Sequence, residues 1–246
     1  MTVTDVNVVK SAIFERPDDA NKGTLGSLLC VCGSYGMAGA AVMSAKGALR
    51  TGIGLAKCAL PRSIYPIVAQ TILESVYYPL SENADGRISK VNVPFLVSES
   101  CKSSATLIGC GLGVCDDTLK IVLSLIENST TPLVLDADAL NCVAKQPEIL
   151  LRKKAPIIIT PHPGEMSRLT GLATPLVNAE RERVALDFAQ KYGVVTVLKG
   201  AGTVIASPNG KVLVNPTGNS GMATGGSGDV LAGVVGALAA QGYDLF

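Results

Sequence analysis

The sequence predicts an α/β fold of three layers, with a mainly parallel central sheet covered by helices on both faces. Three observations carry this. Short, almost wholly apolar runs recur along the chain, most of them end at a glycine or a polar turn, and helical stretches alternate with them. A strand without a polar face is buried on both sides, which is the condition of a parallel sheet between helical layers. The 246 residues, 48% hydrophobic and 26 of them glycine, suit one compact α/β core. One domain over residues 1–246 is expected. It reads as cut short at the carboxyl end, because apolar Leu245 and Phe246 stand directly behind the last expected helix.

In chain order, residues 27–32 read as the first buried strand, followed by the turn Gly33-Ser34-Tyr35-Gly36 and a small-residue helix over 38–50. Residues 54–60 give the next strand. Residues 105–109 give another, running into Gly-Cys-Gly-Leu-Gly at 109–113 and a helix over 116–127. The strand at 132–135 enters Asp136-Ala137-Asp138 and a helix through Leu140 and Val143. The strand at 156–160 ends in Pro161-His162-Pro163-Gly164-Glu165, and a helix starts over 165–169. Residues 178–192 form an amphipathic helix, with Val184, Phe188 and Tyr192 at fourfold spacing. Strands at 194–198, 203–206 and 211–214 follow in succession, separated by the turn 200–202 and by Pro208-Asn209-Gly210, a hairpin signal. A last helix covers 228–241. Segments 33–39, 109–113, 136–138, 160–165, 199–203 and 225–229 are expected to converge on one cleft beyond the carboxyl ends of the strands.

Composition excludes several classes of function. A net charge of +1 leaves no basic footprint, so neither nucleic acid nor an anionic membrane surface is an expected partner. No run of 18 apolar residues is present and the first 23 residues hold no apolar signal core, so a cytoplasmic protein is expected. Seven cysteines form no Cys-x-x-Cys pair. Cys30 and Cys32 share one face of a buried strand by period-2 geometry, which suits small core residues in a reducing compartment. No metal site is expected among them.

The most informative stretch is 215–233, NPTGNSGMATGGSGDVLAG. Glycines at that density let backbone N–H groups approach a phosphate, and the helix that follows adds favourable partial charge. A carboxylate directly behind such a loop repels phosphate unless it has another task, and proton abstraction from a hydroxyl is the natural one. Asp229 is therefore a candidate base; the alternatives are a capping aspartate and a loop that is only a tight turn.

These motifs resemble the NAD(P)H-hydrate dehydratases of the ribokinase-like superfamily over most of the chain. The resemblance rests on GSYGMAGAA (33–41), RTGIGL (50–55), LIGCGLG (107–113), LVLDADALN (133–141), ITPHPGEMSRL (159–169), VLKGAGTVI (197–205) and the 215–233 stretch. One turn departs from the family pattern, Gly218-Asn219-Ser220-Gly221 standing where Gly-Asn-Pro-Gly is familiar. The resemblance implies a ribokinase-like fold and dehydration of the S epimer of hydrated NADH or NADPH, with ADP or ATP as co-substrate and Mg²⁺. It implies Asp229 as the catalytic base, with Ala40, Gly113, His162 and Asp229 at the substrate. Lys199, Gly200, Ala201, Gly202 and Thr203, with the anion-binding Gly225, Gly226 and Gly228, would hold the nucleotide. A homotetramer is also implied. Asp136 and Asp138 either position a cation–phosphate network or cap a helix, and Glu165 either serves Mg²⁺ through water or caps its own helix. Two rival functions stay open: a small-molecule kinase acting on a vitamin precursor, and a non-catalytic nucleotide-binding protein.

Overall fold

The computed structural model describes residues 2–3, 9–10, 12–13 and 15–246, and these form the predicted three-layer α/β arrangement. Part of the N-terminal stretch read above for a signal lies outside the described residues. Ten strands make one sheet: β1 (Thr2–Val3), β2 (Ser27–Val31), β3 (Leu55–Pro61), β4 (Val76–Leu80), β5 (Ala105–Ile108), β6 (Leu133–Leu135), β7 (Ile157–Ile159), β8 (Val195–Leu198), β9 (Thr203–Ala206) and β10 (Val212–Asn215). Their order across the sheet is β1-β10-β9-β8-β7-β6-β5-β2-β3-β4. From β4 to β8 every neighbouring pair is parallel. The last two pairings, β8 with β9 and β9 with β10, are antiparallel hairpins, and β1 lies parallel to β10.

The α-helices within residues 15–246 are α1 (Ala38–Thr51), α2 (Tyr65–Thr71), α3 (Val93–Cys101), α4 (Asp116–Asn128), α5 (Asp138–Val143), α6 (Pro163–Thr170), α7 (Thr174–Ala179), α8 (Arg181–Tyr192) and α9 (Ser227–Ala240). Strand alternation divides the core into two layers. Leu29 and Val31 of β2 face the layer that holds Ile121, Leu125, Leu140 and Phe188 from α4, α5 and α8. Leu28, Cys30 and Cys32 face the opposite layer, with Ala41, Ala45 and Ala48 of α1 and Ala232 and Ala237 of α9. Cys30 and Cys32 thus share a face as expected, and Cys58 joins them through its register opposite Cys30.

Helices α1 and α9 approach almost backbone to backbone. A Cβ at Gly47 would stand 2.6 Å from the Val230 carbonyl oxygen, and one at Gly233 would run into the Ser44 carbonyl. These two glycines are what allow the small-residue faces to meet, and they fix where the first turn of α9, with Asp229, sits above the sheet.

Three elements between 61 and 104 were not legible in the sequence: α2, β4 and α3. Strand β4 is the sheet edge and carries Pro79, so it shows neither a continuous apolar run nor clean alternation. The predicted helix over 178–192 is two helices. Glu180 leaves helical geometry (φ −127°, ψ 41°), and Arg181 Nη2 instead donates to the Leu198 and Lys199 carbonyl oxygens at 2.8 and 3.2 Å. A tertiary bond to the loop behind β8 overrides the local helical pattern there.

Candidate active site

Four strand ends, those of β5, β6, β7 and β8, deliver one buried polar cluster. Behind β6, Asp136 is 2% exposed; its Oδ1 accepts from Lys199 Nζ and from Thr160 Oγ1, each at 2.7 Å. Its Oδ2 lies 3.7 Å from Cys110 Sγ, which follows β5. Lys199, behind β8, also faces Glu165 Oε2 at 3.8 Å. From the opposite side comes α9. Its N-cap is Gly226, at φ 92°, and no side chain caps its first turn. A Cβ at Gly228 would stand 3.7 Å from Lys199 Nζ. Asp229 follows in the same turn, and its carboxylate, that of Asp136 and the Cys110 thiol offer atoms all within 4.8 Å of one another.

This surrounding shapes the carboxyls. Burial pushes the Asp229 carboxyl above the ordinary aspartate range, and the charge of Asp136 adds to the push. Cys110 and Lys199 pull the other way and Asp138 adds a smaller upward push. Burial likewise pushes Glu165 up, against the pull of Lys199 and His162. A raised carboxyl is a stronger base once ionised. The Cys110 thiol, hydrogen-bonded to Cys32 and buried, is held well above the ordinary thiol range and stays protonated.

The turn 161–165 is a closed unit. His162 Nδ1 accepts from the Gly164 and Glu165 amides at 3.0 and 3.4 Å, and Glu165 Oε2 accepts from the His162 amide at 2.8 Å. This is a capping box with histidine in the capping position. Because Nδ1 accepts, the neutral ring carries its proton on Nε2, which faces Glu165 Oε1 at 3.4 Å. That contact is long and weak, so the Nε2–H of this half-exposed side chain is the ring's hydrogen-bonding group available to share with a ligand. Glu165 is 5% exposed and acts both as cap and as a partner of Lys199.

Ala40 is buried, its Cβ packed at 2.7 Å from the position a Cβ would take at Gly111. The Gly113 amide donates to Asp138 Oδ2 at 2.8 Å, which ties loop 109–113 to the start of α5. In loop 199–203, Thr203 Oγ1 donates to the Gly200 carbonyl at 3.0 Å. Ala201 and Gly202 line a cavity of about 830 Å³ whose other walls come from 178–183, Val204 and Val214. Asp229 is not among its lining residues. Nothing comes within 4 Å of a Cβ placed at Gly225, so that glycine opens on free space. Sequence reasoning missed Arg181, whose guanidinium also reaches the Gly202 carbonyl at 3.5 Å and so braces this loop. In the sequence it was one charge among four in Glu-Arg-Glu-Arg, with no sign that it turns inward.

The cluster of Cys110, Asp136 and Asp229 does not suit a resident magnesium ion. Magnesium takes oxygen ligands in near-octahedral geometry. Here one atom is a protonated thiol, and the Asp136 oxygens already hold an ammonium, a hydroxyl and that thiol. Asp138 is engaged by the Gly113 amide. In this structure Asp136 pairs with Lys199, while Asp138 and Glu165 support their loops.

Comparison with known proteins identifies the family. A family model described as NAD(P)H-hydrate dehydratase matches residues 28–246. The ADP-dependent (S)-NAD(P)H-hydrate dehydratase of Neisseria meningitidis is 35% identical over 94% of this chain and 75% of its own. The bifunctional NAD(P)H-hydrate repair enzyme Nnr of Moorella thermoacetica is 40% identical over 95% of this chain but only 44% of its own length. The chain thus spans less than half of the bifunctional relatives it matches. Among solved structures, the ADP/ATP-dependent NAD(P)H-hydrate dehydratase of Bacillus subtilis, co-crystallised with ATP/Mg²⁺, aligns with a TM-score of 0.83 at 30% identity, over 99% of this chain and 83% of that one. A ribokinase-like protein of Enterococcus faecalis shares the fold, with a TM-score of 0.84 at 23% identity. By its motifs, its fold and these matches, the chain belongs to the NAD(P)H-hydrate dehydratase family.

Proposed function

We propose that this chain, as a single domain, dehydrates the S epimer of hydrated NADH or NADPH to the intact coenzyme, driven by ADP or ATP. The observation that carries the reading is Asp229: a carboxylate in the uncapped first turn of α9, raised by burial and facing Lys199 across the cleft. The first-turn N–H groups of that helix are suited to phosphate oxygens, and the carboxylate beside them is suited to a hydroxyl proton. The names of the Neisseria and Bacillus relatives supply the substrate and nucleotide classes.

Hydroxide is a poor leaving group, so the hydroxyl is first phosphorylated. Asp229 takes the C6 hydroxyl proton as the oxygen attacks the terminal phosphorus, and ADP leaves as AMP or ATP as ADP. The C6–O bond then breaks with its electrons on phosphate, assisted by the ring nitrogen's lone pair. Loss of a C5 proton restores the C5–C6 double bond. Bound to the nucleotide, Mg²⁺ would neutralise charge on the phosphates during the transfer. Gly225, Gly226 and Gly228 with Lys199 receive the phosphates, while loop 199–203, braced by Arg181, and the adjoining cavity take the adenosine end. His162 Nε2–H, Gly113 and Ala40 line the substrate side. The protein works as a homotetramer in the cytoplasm; no helix among the described residues is long and apolar enough to cross a membrane.

The test is incubation with ADP or ATP, Mg²⁺ and the hydrated S epimer. Dihydronicotinamide absorbance should return with one inorganic phosphate released per coenzyme repaired. A kinase would yield a stable phosphorylated product and no coenzyme, and a binding protein would turn over neither.

A further inference from the structure

The rim of the cleft at Gly113 carries groups that the chemistry at Asp229 leaves unused. The segment 82–88 is a hairpin turn closed by the bridge between Glu82 and Ile88. Asn83 holds it rigid: Oδ1 accepts from the Asp85 and Arg87 amides, both at 3.1 Å, and Nδ2 donates to Asp117 Oδ2 at 2.9 Å, in the first turn of α4. The stem of Arg87 lies across Gly113, where an added Cβ would meet Nε at 2.5 Å and Cδ at 2.8 Å. Its side chain is 31% exposed, Nη1 holds Asp85 Oδ2 at 3.1 Å, a partner itself 67% exposed, and the guanidinium also hydrogen-bonds the Cys115 thiol. Beside it, the Gly86 carbonyl accepts from the Tyr35 amide at 2.9 Å, and Tyr35 is 74% exposed. Two loops distant in sequence thereby set exposed Tyr35 against the turn that carries Arg87.

An exposed aromatic ring and an arginine so placed are the chemistry of nucleotide recognition, stacking for a base and paired N–H donors for a phosphate. The exposed pair with Asp85 is a weak competitor, easily exchanged for a dianion. We propose that Arg87 binds a phosphate of the dinucleotide substrate as it leaves the cleft past Gly113, with Tyr35 as a stacking face for its adenine. This rests on the proposed reading that hydrated NAD(P)H is the substrate. The phosphate is either the pyrophosphate common to both coenzymes or the 2′-phosphate of NADPH.

The test uses the stable dinucleotides NADH and NADPH in direct binding titrations, together with turnover of both hydrated forms. Arg87→Ala should weaken NADPH binding roughly tenfold to a hundredfold, the usual loss for a hydrogen bond to a charged group. KM for the hydrate should rise in step, with kcat and ADP affinity unchanged. Equal loss for NADH and NADPH supports the pyrophosphate, and loss for NADPH alone supports the 2′-phosphate. Asp85→Asn, which frees the guanidinium, should tighten binding, and Tyr35→Ala should loosen it. Unchanged affinity for both dinucleotides in Arg87→Ala overturns the proposal, as does an equal loss of ADP binding. If the parent chain binds dinucleotide through Arg87 but repairs no hydrate, the dehydratase reading fails and this site stands. If it repairs hydrate and Arg87→Ala does so with unchanged KM, only this site fails.

Discussion

Replacing Lys199 by methionine isolates what holds the floor of the cleft together. Methionine keeps most of the stem and removes the charge. The ammonium sits 2.7 Å from Asp136 Oδ1 and 3.8 Å from Glu165 Oε2, and the three side chains are 18%, 2% and 6% exposed. At an effective dielectric constant of about 20, the closer pair attracts by roughly 6 kcal/mol. Desolvation of both ions takes back much of that, but deleting one partner leaves the other's desolvation in place. The single substitution is therefore expected to cost about 3–5 kcal/mol. The lower end is favoured, because the Glu165 carboxyl, pushed up by burial, can relieve its share by taking a proton. For a chain of this length the melting temperature should fall by roughly 6–20 °C. Guanidinium titrations of Lys199→Met, Asp136→Asn and the double variant complete the cycle, and the double should cost at least about 2 kcal/mol less than the two singles summed. A Lys199→Met chain within about 1 kcal/mol of the parent, or strictly additive singles, would refute the account of the pair.

Asp229→Asn should raise stability at neutral pH even as it removes activity. Asp229 is raised in the folded chain, so the native state binds its proton more tightly than the unfolded state does, and stability falls as pH rises through the raised range. The gain in melting temperature should therefore be present at about pH 7–8 and vanish toward pH 3, below the ordinary carboxylate range; equal melting at every pH would contradict the raised carboxyl. Gly233→Leu drives a side chain into the Ser44 carbonyl and should cost at least about 1–3 kcal/mol by urea titration, with activity lost because α9 carries Asp229. An unchanged midpoint would mean that α1 and α9 part without penalty.

The central strands were legible because burial on both faces writes itself as an unbroken apolar run: β2, β5 and β8 fall where the sequence places them. Edge strand β4 escaped, since Val76 is exposed and Pro79 interrupts it, and burial never shaped the segment into a pattern. The motif segments were legible as a set, and Asp229, Lys199, Asp136 and Glu165 do meet. Their pairing was not. Lys199 reads in sequence as a free phosphate ligand, whereas in the fold two buried carboxylates already hold its ammonium. The same is true of His162, whose Nδ1 is committed to its own turn. Such commitments depend on which strand ends are neighbours, and the order β8-β7-β6-β5 is not contained in any local window. Arg181 and Arg87 were passed over for a related reason, since a charge that turns toward another loop looks in sequence like a charge on a solvated face.

The most direct test of the central claim is the rate at which Asp229→Asn repairs the hydrated coenzyme, measured beside its affinity for ADP. Asparagine keeps the shape and removes the base, so repair should fall by about two to four decades while ADP still raises the melting temperature as it does for the parent. Repair at the parental rate would mean that Asp229 takes no proton and that the chemistry lies elsewhere in the cleft.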